Sequence, residues 1–464
     1  MTPAPSGVQA ILGQKRNCSV MSTKVKAEVS GSLPQWPRVE ECRQAIVQQN
    51  GRLRALVHIL SDPLQDAAFA NGPLAGVPYT LKDTWDTPGI PTTGGSWRHR
   101  DRVPAVGTPV VDAFQRAGAV LLGKSNCSDL ALAWESFNHL IGATRNPHDE
   151  RRSAGGSSGG AACAVASGMT AFDWGTDFGG SIRLPAAFCG VTGLRLSSEP
   201  WPVNEQHFPR MTPHFWPWVG MGPITRTVGG ARAVVNALGA LRRPFPSPRP
   251  GLDDVVVYTP DRACMGHWPT FVGDAARALS AAGIRFQIDR SLPPPRDVNL
   301  LFNAYVSAHF DEFSSTGELP FREGMAAVLL GLATMGRLDK RVHPTSGALL
   351  ALMALGSATL YRDAARWEDR LAELRASTRA IWDSGRVLVA PVTTSLPPLH
   401  GRAVLDRSVL AFTKLGNMVD ATAISIPFGR FDGKRLPRGL HILGPPGSEQ
   451  AVLDLAERLE GSYS

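Results

Sequence analysis

Two spacings of apolar residues divide the chain into predicted helices and strands. From Val39 to Leu60 apolar residues recur every three or four positions, which is the spacing of a helix that buries one face. Short apolar runs at 76–81, 119–123 and 171–175 are instead typical of buried strands. Helices are predicted between and after these strands, over 110–117 and 161–167. This alternation of strands and helices predicts an α/β fold built on a sheet.

The second half of the chain has a less regular pattern. Residues 198–220 are rich in aromatic residues and proline, and residues from about 245 to 380 are rich in arginine and predicted to be mainly helical. Buried strands are predicted again at 387–391 and 423–427. Residues 1–34 show no clear period, so we expect an N-terminal arm there, with its order left open.

Length and composition limit the class of protein. The chain has 464 residues, of which 47 are glycine and 37 are proline, and 43% are hydrophobic. It is long enough to bury a large core, which excludes an intrinsically disordered protein, a collagen and a small disulfide scaffold. The six cysteines form no CxxC pair and no zinc-ligand spacing, so we expect free thiols and no metal.

Charge and targeting signals add expectations about partners and location. The net charge of +8 includes no long block of like charges, which favours a solvated surface over nucleic-acid binding. The apolar stretches are too short to span a membrane, and no basic segment followed by an apolar run marks a signal peptide. We therefore expect a cytoplasmic protein that has no membrane span and does not bind nucleic acid.

Two glycine-rich segments contain serines that are candidates for catalysis. Residues 153–160 lead into a predicted helix, and residues 175–181 end in Ser181. Such turns point several backbone N–H groups at one place, which suits a phosphate or an oxyanion. Neither segment fits the P-loop pattern or GxGxxG, so phosphate binding is disfavoured. An oxyanion beside a nucleophilic serine is the better interpretation, with Ser181 as the nucleophile.

A nucleophilic serine needs a base. None of the 11 histidines lies in a recognisable motif beside the glycine-rich segments. A lysine can serve instead if burial disfavours its charged form. Lys82 directly follows an apolar strand, where burial is expected. Spacing alone leaves open that Lys82 is instead paired with Asp83 or with another carboxylate.

Three segments of the chain closely resemble the amidase signature family. They are GVPYTLKD at 76–83, GGSSGG at 155–160 and GTDFGGSIRLPA at 175–186. Their order and spacing match the family, and the resemblance is dense over about residues 74–195. It implies a single large α/β domain over residues 35–464, with a mixed, twisted central sheet of about ten or eleven strands surrounded by α-helices. In this domain a variable helical region at about 245–380 precedes core strands that return at about 385–445.

The resemblance also implies roles for individual residues. In the family's Ser–Ser–Lys triad, Ser181 is in the position of the nucleophile, Ser157 in that of the bridging serine and Lys82 in that of the base. The peptide bond between Gly156 and Ser157 is expected to be cis. The backbone N–H groups expected to hold the oxyanion are those of Phe178, Gly179, Gly180 and Ser181. The residues expected to support the loops are Ser158, Asp177 and Arg183.

The sequence indicates less about the substrate than about the fold or the triad. Aromatic residues around the core are candidates for the substrate pocket, namely Trp134, Phe137 and Trp216, although such residues more often pack in a core or a structural flap. If they line the entrance, an aryl or acyl amide is favoured over a small polar amide.

The activity implied by the resemblance is that of an amidase. Such an enzyme hydrolyses the carbon–nitrogen bond of linear amides, as distinct from peptide bonds. The reaction proceeds through an acyl-enzyme and requires no cofactor. Its expected partners are a small-molecule amide and water, and a homodimer is left open. Two alternatives remain on the same core: the glutamine-hydrolysing subunit of a tRNA-dependent amidotransferase, and an enzyme that cleaves esters or transfers acyl groups in a biosynthetic pathway.

Overall fold

An eleven-stranded sheet forms the centre of the protein. The structure is a computed structural model that describes residues 34–66, 68, 70–201, 207–246, 254–258, 266–290, 292–314, 342–406, 408–431, 433 and 435–460. Apart from Pro34, the predicted N-terminal arm lies outside the described residues.

The described strands and helices alternate along much of the chain. In chain order the strands are β1 (Leu56–Leu64), β2 (Pro78–Lys82), β3 (Val120–Ser125), β4 (Arg145–Asn146), β5 (Asp149–Ser153), β6 (Phe172–Asp177), β7 (Thr192–Arg195), β8 (Gly220–Thr225), β9 (Asp254–Tyr258), β10 (Arg285–Asp289), β11 (Val387–Pro391), β12 (Thr422–Arg430) and β13 (Pro437–Gly444).

The helices surround this sheet. They are α1 (Val39–Leu53), α2 (Pro109–Arg116), α3 (Gly159–Ala166), α4 (Arg183–Cys189), α5 (Val228–Ala237), α6 (Phe271–Ala281), α7 (Pro295–Ala308), α8 (Phe310–Ser314), α9 (Pro344–Ala358), α10 (Ala364–Asp383), α11 (Thr413–Met418) and α12 (Glu449–Glu460). Among the described helices, none is both long and apolar enough to cross a lipid bilayer.

The sheet is mixed, with the strand order β1-β3-β2-β6-β8-β7-β12-β13-β11-β9-β10. The pairs β3–β2, β2–β6, β11–β9 and β9–β10 are parallel, whereas the remaining pairs are antiparallel. Strands β4 and β5 form a separate hairpin. The predicted α/β class and the expected sheet of about ten or eleven strands are therefore confirmed.

Helices cover the central strands, which explains their continuous apolar sequences. Every residue of β2, β6 and β8 is buried, as is usual where a strand is covered on both sides. Tyr79 on β2 stacks on Phe172 of β6 with ring centroids 5.3 Å apart, and Phe114 of α2 packs against Trp174 at 5.4 Å. This packing fixes the relative position of β2 and β6, the neighbouring strands that end at Lys82 and Asp177.

Two predicted segments differ from the structure. The helix expected from Val39 to Leu60 ends at Leu53, because Arg54 takes a left-handed conformation with φ of 55°. The apolar residues that follow belong to β1, an edge strand with a partly exposed face. The region at 245–380, expected to be mainly helical, also contains β9 and β10; the three consecutive buried valines of β9 are compatible with either a helix or a strand.

Candidate active site

Two neighbouring parallel strands bring the predicted residues to one edge of the sheet. Strand β2 ends at Lys82 and β6 ends at Asp177, and Tyr79 and Leu81 of β2 pair with Phe172 and Trp174 of β6. Parallel strands present their carboxyl ends on the same side, which is where ligands bind in open α/β sheets. Both glycine-rich segments also reach this edge.

Lys82 makes its hydrogen bonds to hydroxyl and carbonyl groups. Its Nζ lies 2.7 Å from Ser157 Oγ, 2.9 Å from Thr176 Oγ1 and 3.3 Å from the Thr176 carbonyl oxygen. Lys82 is fully buried, and Ser157 is 1% exposed. Two of the three residues predicted to form the triad are thus in direct contact.

The alternative pairing of Lys82 with Asp83 is wrong. The Asp83 carboxylate is instead 3.3 Å from the ammonium of Lys124, and it also accepts a hydrogen bond from the Thr93 N–H at 3.1 Å. Strand β2 ends at Lys82, and Asp83 already belongs to the turn that follows it. In the described part of the chain, no carboxylate forms an ion pair with Lys82.

Burial makes Lys82 easier to deprotonate. It lowers the pKa of this lysine from 10.5 to about 8, although the charges of nearby ionisable groups, including Asp177 and Asp173, act in the opposite direction. A lysine with such a pKa is partly neutral near physiological pH. It is therefore suited to accept a proton.

Ser181 is more accessible than its two predicted partners. It is partly exposed at the wall of a cavity that Ser157 and Thr176 also line. The Ser158 N–H donates to the Ser181 carbonyl oxygen at 3.1 Å, which ties the two glycine-rich segments together. The peptide bond between Gly156 and Ser157 is cis, as the resemblance implies.

The predicted oxyanion donors need one correction. The Gly180 N–H donates to Asp177 Oδ1 at 2.7 Å, because the loop after β6 turns back over that carboxylate. It is therefore not free to bind an oxyanion. The N–H groups of Phe178, Gly179 and Ser181 make no such hydrogen bond among the described residues, so they remain candidates.

Asp177 and Arg183 form a buried ion pair at the base of this loop. The Arg183 guanidinium lies 2.8 Å from Asp177 Oδ1, and it also donates to the Thr413 carbonyl oxygen and to Asn417 Oδ1. Burial opposes ionisation of Asp177, but the charge and hydrogen bonds of Arg183 outweigh it and lower the pKa of this carboxyl well below its usual value. Asp177 and Arg183, two of the three residues predicted to support the loops, therefore hold this loop and connect it to α11.

Ser158, the third predicted supporting residue, makes its hydrogen bonds through its backbone. Its carbonyl oxygen accepts from the Ala162 N–H at the start of α3, and its N–H binds Ser181 as described. Its hydroxyl is buried and has no hydrogen-bond partner among the described residues. A side-chain role for Ser158 stays a prediction.

Known proteins similar in sequence to this chain define its family. A family model described as Amidase matches residues 45–241. A glutamyl-tRNA(Gln) amidotransferase subunit of Maridesulfovibrio salexigens is 35% identical over 466 residues, which cover 91% of this chain and 92% of that relative. This chain belongs to the amidase family.

Other members of the amidase family are similar in sequence or in structure. The fatty acid amide hydrolase of Arabidopsis thaliana is 28% identical over 412 residues. These residues cover 83% of this chain and 65% of that protein. The peptide amidase of Stenotrophomonas maltophilia has the same fold, with a TM-score of 0.71 over 91% of this chain and 92% of that chain at 24% identity.

His207 is a residue of this amidase that the sequence did not single out. Its Nε2 lies 3.1 Å from Thr176 Oγ1, and its Nδ1 lies 3.0 Å from the Pro209 carbonyl oxygen. Burial, together with the charge of Lys82, lowers the pKa of His207 to about 3. The ring is therefore neutral. The sequence offered no signal, because His207 lies in the irregular aromatic segment, far along the chain from Lys82.

The cavity in front of Ser181 is largely apolar. Its volume is about 90 Å³. Its apolar lining includes Leu132, Trp134, Phe178, Met211, Phe302 and Phe313.

The structure separates the three aromatic residues predicted for the substrate pocket. Trp134 lines the cavity and is fixed by a hydrogen bond from its indole to the Ala403 carbonyl oxygen at 2.7 Å. Phe137 packs on His343 outside the lining, with ring centroids 4.2 Å apart. Trp216 lies in a separate depression, from which it donates to the carbonyl oxygen of Met211 at 2.9 Å.

One group of side chains has the composition of a metal site, although none was expected. In the described part of the chain, His214, His309 and Glu312 place donor atoms within 4.8 Å of one another. His214 Nδ1 already lies 3.1 Å from the Glu312 carboxylate. None of the three residues lines the cavity of Ser181. A cation there would lie outside the candidate active site.

Proposed function

We propose that this chain hydrolyses linear amides with apolar substituents, with Ser181 as the nucleophile, Ser157 as the proton shuttle and Lys82 as the base. The observation that supports this best is the contact of 2.7 Å between Lys82 Nζ and Ser157 Oγ, at the back of a cavity that Ser181 lines. A buried lysine that contacts hydroxyls rather than a carboxylate is suited to proton transfer.

A chain of hydrogen bonds gives the proposed base its direction. The Pro209 carbonyl oxygen can only accept, so the neutral His207 ring donates from Nδ1 and accepts at Nε2. The Thr176 hydroxyl then donates to His207 and accepts from Lys82. With its two N–H groups directed at the hydroxyl and carbonyl oxygens of Thr176, a neutral Lys82 turns its lone pair toward Ser157.

The proposed reaction follows from this arrangement. Lys82 takes the proton of Ser157, and Ser157 takes the proton of Ser181 as Ser181 Oγ bonds to the amide carbon. The carbonyl oxygen gains a negative charge, which the N–H groups of Phe178, Gly179 and Ser181 stabilise. Ser157 then gives its proton to the leaving amine as the carbon–nitrogen bond breaks, and Lys82 returns a proton to Ser157. Water then cleaves the acyl-enzyme by the same route and regenerates Ser181.

The cavity supports an apolar substituent on the amide. Residues 178–182, between β6 and α4, carry Ser181 and are called the nucleophile loop. Phe178 of this loop and Phe302 have ring centroids 5.4 Å apart, and Met211 adds an adaptable apolar side chain. Burying an aryl group or an alkyl chain against such side chains contributes about 25 cal/mol per Å². The fatty acid amide hydrolase named above is a relative whose name describes such a substrate.

A fluorophosphonate probe tests the proposed nucleophile. We expect the probe to label Ser181, and the substitution Ser181→Ala to remove labelling and to lower kcat for 4-nitroacetanilide by about 10⁴-fold or more. Ser377→Ala, on the exposed surface of α10, is the matched control and should behave like the unmodified protein. Labelling of another residue, or turnover that persists in Ser181→Ala, would contradict the proposal.

A second candidate function is glutamine hydrolysis within an amidotransferase, and the relative from Maridesulfovibrio salexigens favours it. Hydrolysis of L-glutamine without hydrolysis of anilides, together with co-purification of further subunits, would establish this alternative.

Ester cleavage and acyl transfer share the acyl-enzyme. Competition between water and hydroxylamine for the acyl group measures transfer directly.

A further inference from the structure

Buried cations in this protein are paired with carboxylates, with two exceptions among the described residues. Lys124, Arg183, Arg195 and Arg438 each lie 2.8–3.3 Å from an aspartate carboxylate. The exceptions are Lys82 and Lys414. Burying a charge without a partner is unfavourable in free energy, so we expect Lys82 and Lys414 each to have a functional role. The proposed base accounts for Lys82 but not for Lys414.

Lys414 lies in the wall of the cavity that holds Ser181. It is 5% exposed, and its Nζ donates to Asn299 Oδ1 at 2.7 Å and to Asn303 Oδ1 at 2.8 Å. The ammonium also lies 4.5 Å from the ring centroid of Phe302. Amide oxygens and the face of an aromatic ring both favour a cation without neutralising it.

The position of Lys414 is fixed relative to the nucleophile loop. The preceding residue, Thr413, donates its hydroxyl to the Gly179 carbonyl oxygen at 2.7 Å. A methyl group in place of the Gly179 hydrogen would lie 3.9 Å from Lys414 Cγ and 3.5 Å from the Phe302 ring. The cation is thus held close to the site where an amide would react.

The ammonium retains a donor for a ligand. A charged lysine has three N–H groups, and the two asparagines accept two of them. Burial lowers the pKa of Lys414 to about 7, and an anion bound beside it would favour the charged form. Phe302, Phe178 and Leu410 are apolar residues of the same lining, which also includes Arg210.

We infer that Lys414 binds a carboxylate of the substrate, so that the preferred substrates are amides carrying both an apolar group and a carboxylate. This inference rests on the proposed amide hydrolysis and narrows its substrate class. Asn299 and Asn303, one turn apart on α7, position the ammonium, and the aromatic wall receives the apolar group.

Two pairs of isosteric anilides test the inference in the intact protein. The first pair places the charge on the leaving side: 4-acetamidobenzoate and 4-acetamidoacetophenone. The second places it on the acyl side: the 4-nitroanilides of adipic acid and of 6-oxoheptanoic acid. In at least one pair we expect kcat/KM to be about 10- to 100-fold higher for the carboxylate, mainly through a lower KM.

Substitutions of Lys414 test whether this residue causes the preference. In Lys414→Met the ratio of kcat/KM within the preferred pair should fall to about one, whereas Lys414→Arg should retain part of it because the charge is kept. Equal rates within both pairs in the unmodified protein, or an unchanged ratio in Lys414→Met, overturn the inference while leaving amide hydrolysis intact. Failure to cleave any of the four compounds, together with an unlabelled Ser181, overturns the proposed function as well.

Competitive inhibition tests the same inference in the unmodified protein, so the result does not depend on whether a variant folds. With the unmodified protein, 4-methylbenzoate should inhibit hydrolysis of 4-nitroacetanilide competitively and at least about tenfold more strongly than 4-methylacetophenone. Equal inhibition by the two compounds counts against a carboxylate site at Lys414.

Discussion

Lys82 and Lys124 lie on neighbouring strands and are both fully buried, yet their partners differ in kind. Burial lowers the pKa of Lys124, and the charge of the Asp83 carboxylate, 3.3 Å away, opposes this shift. Lys82 faces the hydroxyls of Ser157 and Thr176, which stabilise either of its protonation states. The chemistry of a buried lysine is therefore set by the groups that it contacts.

The pH dependence of activity should follow the protonation of Lys82. A base acts in its neutral form, so kcat/KM should be low in acid, rise with pH, reach half its maximum near the pKa of about 8, and then level off. The neutral substrate 4-nitroacetanilide is used because it does not require the charge of Lys414. A profile that is flat across about pH 6–10 would contradict the role of Lys82.

His207→Ala extends this test to the residue proposed to orient Lys82. Without His207, the Thr176 hydroxyl loses its acceptor and can donate to the lone pair of Lys82, in competition with Ser157. We expect kcat to fall by about 3- to 10-fold, which corresponds to the loss of one hydrogen bond. The rise in activity near pH 8 should remain, because it follows Lys82, whereas the pKa of His207 in the unmodified protein is only about 3. His207→Gln, which retains an acceptor, should recover part of the loss.

At the scale of elements, the short loop between β6 and α4 is held by several hydrogen bonds. Asp177 accepts hydrogen bonds from the N–H groups of Gly180 and Ile182, and Arg183 joins the loop to α11. Gly180 has a φ of 127°, which few residues other than glycine adopt. A Cβ there would also lie 2.2 Å from Thr413 Oγ1.

Substitution of Gly180 should therefore damage catalysis more than an equivalent change elsewhere. Gly180→Ala is expected to lower kcat by about 100-fold, because the adjoining nucleophile and the N–H groups are displaced. Gly229→Ala in α5 is the matched control, since a Cβ there meets nothing within 4 Å. It should leave kcat unchanged and stabilise the protein by about 0.5–1 kcal/mol. Equal effects of the two substitutions on kcat would argue that the loop tolerates movement.

At the scale of the whole molecule, the core excludes solvent from every described cysteine. Cys42, Cys127, Cys163 and Cys189 are buried free thiols. Burial raises the pKa of Cys42 and of Cys163 to about 12, so neither forms the reactive thiolate at neutral pH.

The accessibility of these thiols is a direct test of the fold. In the native protein at about pH 8, iodoacetamide should modify none of these four cysteines, whereas unfolding in urea should expose them all. Peptide mass mapping before and after unfolding measures the difference. Rapid native modification of any of the four would mean that the core is more open than described.

Sequence predicted the parts of the site that lie in contiguous motifs. Lys82, Ser157 and Ser181 belong to such segments, and alternating strands and helices indicated the sheet. The pattern could not reveal His207 or Lys414, because each reaches the site from a distant segment without a motif of its own. Nor could it show that the Gly180 N–H turns toward Asp177, which depends on the conformation of a single loop. The cytoplasmic location and the homodimer stay predictions.

The hydrogen bond from Arg183 to the Thr413 carbonyl oxygen has a consequence for the timing of protein synthesis. These residues are 230 positions apart, and a ribosome adds about 5–20 residues each second. Roughly 10–50 s therefore separate the synthesis of the arginine from that of its partner. During that interval the nucleophile loop lacks the helix that holds it. The nascent chain thus contains Ser181 well before α11, the helix that holds its loop, has been synthesised.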